Sequence, residues 1–103
     1  MPVVEFTIRW PDGVRQRCSS PSTVVLEHLS LGMRLPVSEF VARCTVAMEA
    51  ASERVRERYG FSCGSAAEQQ EAIVRAARRY DGDEREVHVV VLDGERAPGE
   101  ALP

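Results

Sequence analysis

Apolar residues return along this chain at two spacings, and the changes between them mark out its elements. From Pro36 to Gly60, Val37, Phe40/Val41, Cys44, Ala47/Met48, Ala51, Val55 and Tyr59 recur at steps of three and four. That period places them on one side of a helix. Glu39, Arg43, Glu53 and Glu57 take the opposite side. Pro36 suits a first helical turn, where its missing N–H would have no partner anyway. Gly60 suits the left-handed stop beyond the end. This is the longest periodic stretch, and the remaining segments must pack on its apolar side.

Before it the period is two. In Val3–Trp10, Val4, Phe6, Ile8 and Trp10 alternate with Val3, Glu5, Thr7 and Arg9, which predicts a strand with one buried face. Pro11-Asp12-Gly13 is a turn, and Gly13 supplies positive φ for a bulge. Val14–Cys18 returns as a second strand, with Arg15 and Arg17 on a wet face and Val14, Gln16 and Cys18 on the other. Ser20-Pro21 predicts the start of a short helix over 21–30. The β-branched run Thr23-Val24-Val25 favours an edge strand instead.

After the long helix, Ser65-Ala66-Ala67-Glu68 fits a capping box. A second helix follows, with Ala66, Gln70, Ile73/Val74 and Ala77 inward and Tyr80 near its end. Asp81-Gly82-Asp83 turns the chain. The apolar run Glu86–Leu92 predicts a central strand covered on much of both faces. Residues 93–103 have no period and two prolines, which predicts a mobile tail. The expected fold class is α+β. It is a three-stranded sheet, made of the N-terminal hairpin and the C-terminal strand, with two main helices and one short helix on one face. Residues 1–92 form one domain, and the last strand can pair with either member of the hairpin.

Composition narrows the function classes. The chain has 103 residues, 44% hydrophobic and 28% charged, which is ordinary for one globular domain. Its thirteen basic residues are all arginine, yet the net charge is −3. Genomic base composition accounts for the arginines, because phosphate reading needs a clustered basic face. The acidic balance argues against nucleic acid as a partner. No apolar run approaches the ~20 residues that span a bilayer, and the first residues lack the pattern of a signal peptide. A cytoplasmic protein without membrane contact is the expectation.

Cys18, Cys44 and Cys63 are widely spaced, and only His28 and His88 accompany them. This is neither a disulfide framework nor a metal-ligand spacing, so no cofactor and no metal are expected. The sharpest catalytic candidate is Cys63, just before the second helix, where N-terminal amides lower a thiol pKa. A nucleophile also wants a base, and His88 is the histidine on a well-defined element. No spacing brings the two together. The plain alternative makes Cys63 a small buried residue at a helix corner and His88 a sheet residue. Ser19, Ser20 and Ser22 can hold an anion near a helix start, or simply cap and turn the chain. Arg75, Arg78 and Arg79 suit the helix dipole. Val46 falls opposite the core stripe, and with Ala42 and Ala50 it forms a candidate interface for self-association.

Several phrases occur together: Ile8-Arg9-Trp10-Pro11-Asp12-Gly13, Ser20-Pro21-Ser22, Phe40-Val41-Ala42-Arg43, Ala51-Ser52-Glu53-Arg54-Val55-Arg56, Tyr59-Gly60-Phe61 and Cys63. In these the chain resembles a small bacterial family of nitrogen-starvation response proteins, over roughly Val3 to Leu92. The resemblance implies a gene cluster around a nitrilase, with a radical S-adenosylmethionine protein, an acetyltransferase, a synthase-like protein and a flavin-dependent oxidoreductase. It implies a role in nitrogen acquisition through nitrile or cyanide assimilation, and it carries over no catalytic residue. The expected function is a non-catalytic accessory or interaction protein, a homodimer with the cluster's proteins as partners. The alternatives are a small enzyme or covalent carrier using Cys63 as a thiolate, or a small-ligand sensor with a pocket between sheet and helices.

Overall fold

The computed structural model describes residues 4–60, 64–81 and 85–97. Its elements run β1 (Val4–Arg9), β2 (Arg15–Ser20), a 3-10 turn (Thr23–Glu27), β3 (Arg34–Pro36), α1 (Val37–Tyr59), α2 (Ser65–Ala77), a second 3-10 turn (Arg78–Tyr80), β4 (Glu86–Leu92) and β5 (Glu95–Arg96). The fold is α+β with an antiparallel sheet of five strands, in the order β2-β1-β4-β3, and with β5 also on β4.

The three-strand expectation is therefore corrected by two short strands. Arg34–Pro36 is too brief for a period to reveal, and it forms only because it lies along the free edge of β4. Glu95–Arg96 lies in the stretch read as an aperiodic tail. There Asp93 and Gly94 both take positive φ, 51° and 85°, the backbone of a two-residue hairpin turn. The sequence signal, Asp-Gly after an apolar strand, was present. β4 is central, as its apolar run predicts, with β1 on one edge and β3 and β5 sharing the other.

Alternation sorts the sheet into two faces. Phe6, Ile8, Cys18, Val87, Val89 and Leu92 are buried with Phe40, Cys44, Ala47 and Met48 of α1 and Ala66 and Ile73 of α2. A register shift between Thr7 and Ile8 lets β4 keep its apolar residues on this side along its length. The 23 residues of α1 make a rod of about 34 Å. Gly60 ends it at φ 76°, donating its N–H to the Arg56 carbonyl at 2.8 Å. Tyr59 does not continue the buried stripe and is 45% exposed, because this last turn extends past the core.

Several local readings are corrected. Pro36 is the last residue of β3 and the cap position of α1, not part of its first turn. The expected helix over 21–30 is a 3-10 turn of five residues, and its cap is Ser22, whose Oγ accepts from the Val24 N–H at 3.2 Å. Ser20 stays buried, donating to the Ser22 carbonyl at 2.9 Å. Gly64 occupies the cap position of α2, so Ser65 is its first residue rather than its cap. Val14 lies exposed in the hairpin turn. Gln69 of α2 accepts from the Ser19 N–H at 3.1 Å, which satisfies a donor on the outer strand that would otherwise be open to pairing.

The hairpin tip is bolted to the end of α2. Gly13 takes φ 93° and donates to the Trp10 carbonyl at 2.9 Å, while the Trp10 N–H donates to the Val14 carbonyl at 2.8 Å. The Trp10 ring stacks on Tyr80 at 5.2 Å and meets Phe40 edge-on at 6.1 Å. Its indole N–H donates to Gln16 at 2.9 Å. Tyr80 then donates its hydroxyl to Asp12 Oδ1 at 2.8 Å. That bond, with the Val14 N–H, holds the Asp12 carboxyl below its ordinary value of 3.8.

Two outcomes follow from this packing. Phe40→Ala empties a fully buried site and should cost about 3–5 kcal/mol, read as a lowered denaturant midpoint with an unchanged slope. Because the Asp12 pKa is depressed in the folded state, its contribution is complete above the unfolded value and fades as pH falls through the folded one. Tyr80→Phe should therefore melt below the native protein at pH 6, and the gap should narrow as the pH drops below 3.8.

Candidate functional site

The sheet face away from the helices is built by the same alternation. Direct pairing aligns Arg15 with Arg9, Arg9 with His88, and His88 with Arg34. One basic row thus crosses four strands. In the next row Arg17 pairs with Thr7, Thr7 with Val91, and Val91 with Arg96. Directly opposed residues share a face and neighbouring strands lie about 4.8 Å apart. Among the described residues, the face therefore carries five arginines and a histidine against two acids, Glu5 and Glu86, in a chain whose net charge is −3.

Burial grades this face. Arg15, Arg17, Arg34 and Arg96 are exposed, Arg9 is half-buried, and His88 is 9% exposed. Arg9 Nη2 lies 3.1 Å from His88 Nδ1. A guanidinium only donates, so Nδ1 is the acceptor in this contact. Glu5 draws Arg17 to 3.7 Å, with both side chains largely in water. At the end of the row, Arg9, Trp10, Pro11, Arg34, Glu86 and His88 line a cleft of about 240 Å³ with a mostly charged and polar lining. Its Pro11 wall belongs to the hairpin tip that Tyr80 holds.

Among the described residues, the other candidates lie elsewhere. Cys63 is outside the described residues. Cys18 and Cys44 are buried free thiols, and loss of hydration pushes both up to about 12; they stay protonated near neutrality and are poor nucleophiles. Ser20 and Ser22 serve the turn before the 3-10 helix. Val46 is 53% exposed on the outer side of α1, with Ala42 exposed and Ala50 half-buried beside it. Among the described residues no group of His, Cys, Asp and Glu is arranged to hold a metal, and no helix is long and apolar enough to cross a membrane.

Two larger grooves flank α1. One of about 840 Å³ lies between its first turn and the end of α2. Another of about 410 Å³ runs beside Thr45, Met48 and Gln70. In the second, Gln70 donates to Thr45 Oγ1 at 2.6 Å, and its own carbonyl oxygen is buried with no partner among the described residues. Neither groove gathers charge as the sheet face does. The strand pattern placed Arg15 and Arg17 on a wet face. It did not reveal Arg34 and Arg96, whose strands are short, nor the side of β4 on which His88 falls.

The sequence pattern of one family, described as nitrogen starvation-induced protein NitG, matches residues 5–92. No curated protein and no solved structure matches the chain. The matched span takes in β2, β3 and β4 whole and all but the first residue of β1, and with them Arg9, Arg34, Glu86 and His88. Only Arg96 of the basic face lies outside it. The chain belongs to the NitG family of nitrogen starvation-induced proteins.

Proposed function

We propose that the protein is a non-catalytic accessory of the nitrogen-starvation response that binds an anionic ligand on the open face of its sheet. The observation that carries this reading is the basic row Arg15–Arg9–His88–Arg34, set across four strands of an acidic chain. A local excess of positive charge concentrates anions at a surface whatever the overall balance. Arginine is suited to the task because its planar fork meets an oxyanion through two parallel N–H bonds.

The non-catalytic part rests on the thiols and the histidine. Burial keeps Cys18 and Cys44 protonated, and Nδ1 of His88 is taken up by a donor, Arg9, rather than by a hydroxyl or thiol it could activate. The pathway we assign is the nitrilase-linked one that the family resemblance implies, with assimilation of nitriles or cyanide as its outcome.

Complementation tests this reading. A deletion strain of the host, grown with a nitrile as limiting nitrogen source, receives either the Arg9→Gln/Arg34→Gln double variant or Cys63→Ser. The double variant should fail to restore growth at wild-type protein levels, and Cys63→Ser should restore it. The reverse pattern would replace the binding reading with thiolate chemistry at Cys63. As an independent check, Cys18 and Cys44 should resist a thiol reagent at pH 8 until denaturant is added, since burial holds both near 12.

A further inference from the structure

We infer that the cleft at the end of the basic row takes a small zwitterion, an α-amino acid with a short side chain. This rests on the reading that the sheet face binds an anion and names the class of ligand. Arg34 and Glu86 both line the cleft. Neither side chain has a hydrogen-bond or ion-pair partner among the described residues, and the two do not pair with each other. A cleft that presents Arg34 and Glu86, opposite in sign and not paired with each other, suits a ligand that also carries both signs.

Each wall selects one part of such a ligand. Arg34, exposed and opposite His88, is placed to take the carboxylate bidentately. Arg9 adds a second positive charge, and its guanidinium is already held on His88 Nδ1 at 3.1 Å, so little side-chain freedom remains to be lost on binding. Glu86, two residues before His88 on β4, accepts from the ammonium group. A phosphate dianion would meet Glu86 with repulsion and offer nothing in return. The volume of about 240 Å³ and the charged lining admit a short polar ligand and give a long apolar side chain little to cover.

Titration of the ¹⁵N-labelled full chain, followed by NMR, tests this with four probes: L-alanine, propionate (no ammonium), ethylamine (no carboxylate) and inorganic phosphate. L-Alanine should shift the resonances of Arg34, Glu86 and His88, propionate should bind at least tenfold more weakly, and ethylamine and phosphate should leave them unmoved. Glu86→Gln should weaken L-alanine at least tenfold while leaving propionate unchanged, and Arg34→Gln should abolish both. Both side chains are exposed, and thermal melts of the two variants confirm the fold. Propionate or phosphate binding as tightly as L-alanine would overturn the zwitterion and leave the anion-binding function standing. No perturbation by any probe would overturn both.

Discussion

The pairing of β1 with β4 is the contact on which the other features depend. It joins residues about eighty positions apart, Arg9 with His88 and Ile8 with Val89, and it closes the chain on itself. Once those strands are neighbours, the two-residue period leaves no freedom. The apolar set of both strands must face α1 and α2, because a slip of one residue would bury the charges and expose the core. The register shift at Thr7/Ile8 keeps the two strands in phase where their patterns disagree. The basic row is the other side of the same constraint: what burial rejects from one face accumulates on the opposite one.

The hairpin tip links that face to the helices. Trp10 is shared between the core, where it meets Phe40, and the end of α2, where it stacks on Tyr80. Asp12 completes the attachment through the Tyr80 hydroxyl. The next residue along from Trp10, Pro11, is a wall of the cleft. The tip is thus held from behind by buried aromatic area and a charge-assisted hydrogen bond, while its front faces the arginines. A binding surface built from exposed side chains gains from such a support, because its backbone need not be ordered by the ligand.

Among the described residues, the sheet face gathers arginines and no thiol. Catalysis needs a nucleophile or base whose pKa is tuned toward the working pH. Burial moves Cys18 and Cys44 in the opposite direction. Arginine, which stays charged, contributes orientation and field instead.

Much of the scaffold could be read directly from the residues. The three-and-four spacing of α1, its glycine stop, the bounds of β4 and the turn at Pro11-Asp12-Gly13 are local properties, set by backbone geometry and by which side chains avoid water. The wet face of Arg15 and Arg17 was legible for the same reason. β3 and β5 were not, since three and two residues are too few to show a period and become strands only when β4 offers its edge. The capping roles of Ser20, Pro36 and Ser65 shifted by a residue or two, because tertiary contacts decide which residue ends a segment. The candidate site itself belongs to the tertiary structure alone. Its arginines come from β1, β2, β3 and β5, and its histidine and one glutamate from β4. Which of them stand in one row depends on strand order and register, both long-range quantities that no window of the sequence contains.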